Sequence, residues 1–244
     1  MNARLNEYQQ PIGPSVEGWT ARRQPPRTPM IGRYCRVEPV DVERDAKALF
    51  ESYSAAPDGR DWTYLFVGPF SDFESYRTHL TQAATTQDPL HHTIIDLATG
   101  QPIGTAALMR IDPAHGVIEV GHVTYSPLLQ RARAATEAML LMMRRVFDEL
   151  GYRRYEWKCD ANNLRSRAAA ERYGFTFEGI FRQAIVYKGR SRDTAWYSML
   201  DSEWPAIRTG FEHWLDPRNF DANGQQVEKL SVSIERARSE EKTS

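Results

Sequence analysis

Several features that would assign a protein to a familiar class are scarce in this chain of 244 residues. Only two cysteines occur, Cys35 and Cys159, which gives no disulfide framework. No apolar run approaches the roughly 20 residues of a membrane span, and no signal-peptide pattern opens the sequence. The formal net charge of −1 argues against a general binder of nucleic acid or membrane surfaces. We therefore expect a cytoplasmic globular protein.

The glycine-rich nucleotide signatures are missing as well. GxxxxGK[ST] does not occur, and no GxGxxG follows a predicted strand, so neither a nucleotide triphosphate nor a dinucleotide is indicated. Positive charge is nevertheless concentrated in one region. Residues 126–192 contain 14 Lys or Arg against 7 Asp or Glu, a local excess that suits an anionic ligand.

A basic turn that leads directly into an amphipathic helix is the most informative segment. Residues 130–135 read QRARAA, and the apolar residues that follow recur at helical spacing up to Leu150. A helix N-terminus offers unpaired N–H groups and a positive dipole end, and Arg131 and Arg133 add charge there. Small residues that let the backbone approach a ligand are Ala132, Ala134 and Ala135. The turn predicts a pyrophosphate-bearing cofactor, with an ordinary solvated helix start as the alternative.

Hydrophobic patterning predicts strands and helices arranged around a sheet, in the α/β or α+β class. Predicted strands cover residues 32–39, 92–97, 103–111, 116–125, 153–161 and 175–187. Predicted helices run from an Asp41 cap to Tyr53, from a Ser71 cap to about Ala84, and over residues 135–150, 163–173 and 204–215. We divide the chain into an extended arm (1–29), a domain (30–204), and a terminal helix with a polar tail (205–244). The arm is expected to be either loose or laid across the domain.

Several motifs in this order resemble the GCN5-related N-acetyltransferase (GNAT) superfamily, in particular its RimJ/RimL-type branch, from Met30 to about Trp204. The superfamily signature Q/R-x-x-G-x-G/A is occupied by Gln130, Arg131, Ala132, Arg133, Ala134 and Ala135. Further matches are Asn163-x-x-Ser166, Glu171, Gly174-Phe175 and Glu178-Gly179. Arg133 departs from the pattern, because the signature prefers glycine there.

The resemblance implies a GNAT fold, with a mixed, mostly antiparallel sheet flanked by helices. It also implies an N-acetyltransferase that moves an acetyl group from acetyl-CoA to a primary amine within a ternary complex, without a metal. The acceptor would be a small-molecule amine or a peptide N-terminus, and the protein a monomer or homodimer. A non-catalytic acyl-CoA-binding regulatory module is the alternative.

The strand before the basic turn is expected to carry the reacting groups. In the superfamily the backbone of this strand holds the thioester carbonyl, which corresponds to Val123 and Thr124. Glu119 is the leading candidate for the base, since burial would raise its pKa, and a structural ion pair is the competing interpretation. His122 is the alternative base. These two residues are three positions apart, so they face opposite sides unless a bulge intervenes.

The acid that protonates the departing thiolate is less obvious. Many acetyltransferases use a tyrosine at the position that Ala170 occupies here, and alanine cannot donate a proton. Ser166 is the better candidate, with an ordinary helix residue as the alternative, because a thiolate can leave with only weak acid help. Asn163 is expected to hydrogen-bond the pantetheine arm. Cys159 is interpreted as a core thiol rather than as a nucleophile.

Recognition of the acceptor is assigned to two segments that wall the substrate site in this fold. Trp62 and Tyr64 lie in an aromatic loop, and Tyr187 and Arg192 flank a predicted hairpin tip. Ordinary packing under a loop is the alternative role for the two loop residues.

Overall fold

The computed structural model describes residues 4–241, in which an eight-stranded sheet carries helices on both faces and a two-stranded hairpin lies near the N-terminus. The strands are β1 (Arg4–Leu5), β2 (Pro11–Ile12), β3 (Met30–Ile31), β4 (Cys35–Pro39), β5 (Leu90–Asp96), β6 (Pro102–Asp112), β7 (Val117–Tyr125), β8 (Arg154–Asp160), β9 (Thr176–Tyr187) and β10 (Arg190–Leu200). The helices are α1 (Val42–Ser54), α2 (Phe73–Thr85), α3 (Arg133–Arg144), α4 (Leu164–Arg172), α5 (Trp204–Leu215) and α6 (Leu230–Glu241). The predicted fold class is confirmed.

The strands of the large sheet are antiparallel except at one place. Their order is β3-β4-β5-β6-β7-β8-β10-β9, and within residues 4–241 only β7 and β8 run parallel. These two strands pair over residues 117–120 and 154–157. Beyond that point β7 continues to Tyr125 and β8 to Asp160 without further pairing between them.

The two faces of the sheet belong to separate hydrophobic cores. The larger core lies under α3, α5 and α6 and includes Ile94 of β5. The smaller core includes Leu49 of α1 and Leu80 of α2. Because successive residues of a strand point to opposite faces, Thr93 of β5 instead donates a hydrogen bond to Asp45 of α1, at 2.6 Å. We call the side that carries α1 and α2 the α1/α2 face.

Two local predictions need correction. Asp72, rather than Ser71, caps α2, because its carboxylate accepts the N–H of Ser75 at 2.8 Å. The helix that was expected to reach Leu150 ends at Arg144 and continues as a π-helical turn over Arg145–Glu149. That turn directs Asp148 to the indole N–H of Trp204, at 2.6 Å.

Both ends of the described chain pack against the domain. In the N-terminal arm, the carbonyls of Pro26, Thr28 and Pro29 accept hydrogen bonds from the buried guanidinium of Arg145. At the other end, Ile234 of α6 lies against Gly210 of α5, where an added Cβ would meet the Ile234 backbone at 2.6 Å. The arm is therefore laid across the domain, and the tail is helical to Glu241. The helices within residues 4–241 are too short or too polar to cross a membrane.

Candidate functional site

The sheet opens in a notch where β7 and β8 part. Their last parallel pair is Val120 with Trp157, and each strand then continues on its own side of the gap. Backbone N–H and C=O groups need hydrogen-bond partners, so strands that separate offer such groups to a ligand lying between them. The basic turn and α3 begin directly after the end of β7.

The basic turn presents free backbone donors. Arg131 adopts a left-handed conformation with φ of 63°, and α3 begins at Arg133 with no side-chain cap from Ala132. Within residues 4–241, the N–H groups of Arg131, Arg133 and Ala134 have no hydrogen-bond acceptor. Unpaired N–H groups at the positive end of a helix bind anions, so this turn fits the pyrophosphate of a coenzyme A.

The side chain of Arg133 packs against aromatic rings. Its guanidinium carbon lies 3.9 Å from the ring centroid of Phe220 and 5.8 Å from that of Tyr34. Its backbone is helical, so this position needs no positive φ and tolerates arginine in place of glycine. Arg131 is exposed, and its side chain forms no aromatic ring contact among residues 4–241.

Gln130 links the turn to the aromatic loop, residues 61–70. Its side-chain amide donates to the carboxylate of Asp61 at 2.8 Å and to the carbonyl of Tyr125 at 3.0 Å. Asp61 also accepts from Arg165 of α4, at 3.4 Å. One carboxylate of the loop therefore joins the turn before α3 to the first turn of α4.

A bulge in β7 changes the direction of His122. Thr124 pairs with Thr105 and Gly121 with Ala107, so β7 holds one residue more than β6 between these pairs. His122 has φ of 48°, and its ring centroid lies 4.9 Å from that of His91. The bulge thus brings His122 to the α1/α2 face, which Glu119 shares.

His122 and His91 line a small enclosed space of about 30 Å³. Burial lowers the pKa of both rings, and the nearby His122 lowers the pKa of His91 further, to about 3. Both rings are therefore neutral near pH 7. Tyr53 and Trp62 line this space and also an adjoining cavity of about 160 Å³ under the aromatic loop.

Glu119 lies at the closed end of the notch, in a network of charges. It is 4% exposed, and its Oε2 is 2.9 Å from Nζ of Lys158 and 3.3 Å from Nε of Arg110. Lys158 also binds Glu156, at 2.6 Å. Burial raises the pKa of Glu119, and the positive charge of Lys158 opposes that shift. Among the described residues, Oε2 of Glu119 forms no hydrogen bond of good geometry, so these neighbouring charges are what hold this buried oxygen.

Asn163 and Ser166 occupy the start of α4, on the other side of the notch. The Asn163 side chain caps the helix by accepting the N–H of Ser166 at 3.1 Å. The Ser166 hydroxyl oxygen accepts the indole N–H of Trp157 at 3.0 Å. An indole N–H can only donate, so the O–H of Ser166 remains a donor, and in this structure the sulfur of Cys159 lies within its reach.

The aromatic loop and the β9–β10 hairpin meet across the α1/α2 face. Lys188 donates to the carbonyl of Trp62 at 2.9 Å, and Arg190 to that of Thr63 at 2.7 Å. Tyr64 donates to the carbonyl of Asn162 at 3.2 Å. Trp62 packs in a cluster of aromatic rings, which is the structural role considered for it from the sequence.

The site residues predicted from the sequence thus lie around one notch, although their roles stay predictions. Val123 packs against the larger core, while the carbonyl of Thr124 accepts the hydroxyl of Tyr53 at 3.2 Å. Sequence reasoning missed Asp61, His91 and Lys158. Only Lys158 could have been found from the local sequence, because it lies two residues after Glu156 on a predicted strand and therefore on the same face. Within residues 4–241, no group of three or more His, Cys, Asp or Glu is arranged to hold a metal ion.

Comparison with known proteins gives consistent matches. A model of the acetyltransferase (GNAT) domain matches residues 36–176. The chain is 26% identical over 170 residues to the putative ribosomal N-acetyltransferase YdaF of Bacillus subtilis (strain 168), covering 69% of this chain and 90% of that protein. A GCN5-related N-acetyltransferase from Brucella melitensis is 48% identical, with a TM-score of 0.89, over 90% of this chain and all of that one. A probable GNAT-family acetyltransferase from Chromobacterium violaceum is 40% identical, with a TM-score of 0.74, over 80% and 98% of the two chains.

Proposed function

This chain belongs to the GNAT acetyltransferase family, as its motifs predict, and on that premise we propose that it acetylates a primary amine by direct transfer from acetyl-CoA. The observation that carries the proposal is the notch between β7 and β8. At one end it meets a turn with free N–H donors, and on the α1/α2 face His122 and Thr124 of β7 line a space together with the rings of Tyr53 and Trp62. A donor and an acceptor can therefore approach the same gap from opposite faces of the sheet.

The basic turn and the start of α4 are the proposed donor-binding elements. The N–H groups of Arg131, Arg133 and Ala134 would bind the pyrophosphate, with the charge of Arg131 beside them. Asn163, at the start of α4, would hydrogen-bond the pantetheine arm. Bound acetyl-CoA supplies an activated thioester.

Glu119 is the proposed base. Burial raises the pKa of its carboxyl, which makes it a stronger base than an exposed carboxylate, and the charge of Lys158 favours the ionised form. Its carboxylate can take the amine proton, either directly or through one water molecule. His122, neutral and on the same face, is the alternative.

Ser166 is the proposed acid. The indole N–H of Trp157 fixes its oxygen beside the notch, and its O–H can donate to a departing thiolate. Cys159 is unsuited to act as a covalent nucleophile, because burial raises the pKa of its thiol and the group stays protonated. These two observations support direct transfer.

Binding and turnover together test this function. Saturating acetyl-CoA should raise the melting temperature of the protein by mass action, whereas NAD should leave it unchanged. A panel of amino acids, polyamines, aminoglycosides and N-terminal peptides, including peptides from ribosomal proteins as the name of YdaF suggests, should then reveal an acceptor through release of free thiol. No thermal shift would contradict the donor assignment. A shift without any turnover would favour a binding module.

The contribution of the backbone donors can be tested at Arg133. Proline is well tolerated at the first position of a helix, and Ala132 already has the extended conformation that a residue before proline prefers. R133P therefore removes one N–H from the turn without breaking α3. We expect acetyl-CoA to bind about tenfold more weakly, as measured by calorimetry.

R133M is the matched control, because it removes the same guanidinium and its contact with Phe220 but keeps the N–H. Its affinity for acetyl-CoA should stay within about threefold of the wild-type value, a difference of less than 1 kcal/mol. Equal losses of affinity in R133M and R133P would assign the effect to the side chain and contradict binding of the pyrophosphate by the backbone N–H groups.

A further inference from the structure

Arg192 of β10 is a buried cation without an acidic partner. It is 6% exposed, and its Nε donates to the hydroxyl of Thr194 at 3.1 Å. No carboxylate of residues 4–241 lies within 4.0 Å of its nitrogens, and Nη1 and Nη2 form no hydrogen bond to these residues. Its guanidinium carbon lies 5.5 Å from the ring centroid of Phe66 and 5.9 Å from that of Tyr187.

The acids near Arg192 are already engaged. Asp160 accepts the hydroxyl of Tyr187 at 2.8 Å through one oxygen and the N–H of Asn162 at 2.9 Å through the other. Asp193, the next residue, accepts the N–H of Gln183 at 2.7 Å. Charged groups are rarely buried unless they are paired, and the described residues provide no anion for Arg192. Its site therefore suits an anion that belongs to a ligand.

Arg192 belongs to the face of the sheet where the acceptor would bind. Alternate residues of a strand lie on one face, so Arg192, Thr194 and Trp196 of β10 share a face. Along β10 they approach the notch, because Thr194 pairs with Asp160 and Trp196 with Lys158. Nζ of Lys158 lies 3.8 Å from the centroid of the Trp196 ring and 2.9 Å from Glu119. Phe66 of the aromatic loop lies beside the guanidinium from the opposite wall.

We propose that Arg192 binds a carboxylate carried by the acceptor, so that the amine acetylated by this protein belongs to an acidic molecule. This inference rests on the proposed function. A guanidinium offers two parallel N–H donors that match the two oxygens of a carboxylate, and here both Nη atoms are free. The carboxylate has two sources: the α-carboxylate of a free amino acid, or an acidic side chain next to the N-terminus of a peptide.

Matched pairs of acceptors separate these sources. The first pair is L-alanine and L-alaninamide, and the second is a C-terminally amidated hexapeptide with Asp or with Asn at its second position. In one of the two pairs we expect kcat/KM to be at least about tenfold higher for the member with the carboxylate. The pair that shows this preference identifies the source.

Variants of Arg192 assign the preference to this residue. R192Q should lower kcat/KM for the preferred acceptor by about tenfold or more and leave its amide counterpart within about threefold, so that the preference disappears. R192K keeps the positive charge but not the two parallel N–H donors, so its preference should lie between those of the wild type and R192Q. R182Q, at an exposed arginine of β9, is the control and should leave the preference unchanged.

Binding of reaction products gives a readout that does not depend on turnover. N-acetyl-L-alanine, or the N-acetylated Asp peptide, should raise the melting temperature of the wild type but not of R192Q, and the corresponding amides should shift neither. Turnover without preference in either pair would overturn the inference while the proposed function stands. Carboxylate-dependent binding lost in R192Q, without turnover of any amine, would support Arg192 and contradict the proposed function. If R192Q does not fold, the wild-type preference and R192K decide.

Discussion

Replacing Glu119 by glutamine is expected to lower kcat by on the order of 10²–10³-fold, while the affinity for acetyl-CoA changes by less than about threefold. Glutamine keeps the size of the side chain but cannot accept the amine proton. Glu119 lies at the closed end of the notch, away from the turn that would hold the pyrophosphate, so donor binding should be spared. Steady-state kinetics with the identified amine and calorimetry with acetyl-CoA measure the two effects.

The pH dependence of kcat/KM gives a second test of the same role. Burial raises the pKa of Glu119 above 4.5, and the base acts in its ionised form. Activity of the wild type should therefore fall as the pH drops through this raised pKa. E119Q should lose this decrease at acidic pH and keep any dependence at alkaline pH that comes from deprotonation of the amine.

Glu156 and His122 supply the controls for this prediction. Glu156 binds the same lysine at 2.6 Å, so E156Q disturbs the charge network without removing the proposed base, and it should cost less than about tenfold in kcat. Equal losses in E156Q and E119Q would mean that Glu119 only holds Lys158. A large loss in H122Q together with a small one in E119Q would assign the base to His122.

Replacing Glu137 by alanine is expected to lower the free energy of unfolding by about 3–5 kcal/mol. The Glu137 carboxylate, 5% exposed on α3, accepts three backbone N–H groups from Arg33, Tyr34 and Cys35, at 2.6–2.8 Å. Hydrogen bonds to a charged group contribute more than neutral ones, and the truncation would leave three donors unpaired at once. Urea unfolding followed by circular dichroism measures the loss.

Glu235 provides the matched control for Glu137. It is an exposed glutamate on α6, and E235A should change the stability by less than about 0.5 kcal/mol. E137Q should lose an amount of stability between those of E235A and E137A. Its amide oxygen still accepts hydrogen bonds, whereas its NH₂ group faces other donors. A loss below about 1 kcal/mol in E137A would mean that water replaces the carboxylate, and the segment before β4 would then be held by other contacts.

The local parts of the fold were predictable because their signals lie within a few residues. Hydrophobic periodicity identified α3 and β8, and Asp41 was recognised as the cap of α1. Errors occurred where two neighbouring residues offer the same chemistry. Ser71 and Asp72 can both cap a helix, and only the geometry selects Asp72.

Long-range partners could not be predicted. From the sequence, Glu137 was a favourable acidic residue near a helix N-terminus, and its contact with Cys35 joins residues 102 positions apart. The β7 bulge, which brings His122 to the face of Glu119, depends on how β6 pairs with β7. Motif spacing therefore located the candidate site, while the partners of Glu119, Arg133 and Arg192 needed the tertiary structure.

The insertion of β10 between β8 and β9 means that the folding unit extends beyond the segment that the family model matches. The family match ends at residue 176, yet β10 pairs with β8 along its whole length from Arg154 to Asp160. A chain truncated to residues 36–176 would expose that edge, and it would also lose the arm carbonyls that bind Arg145. The family match and the cooperative folding unit thus have different boundaries here, and we expect a minimal stable fragment to extend from the arm to α6.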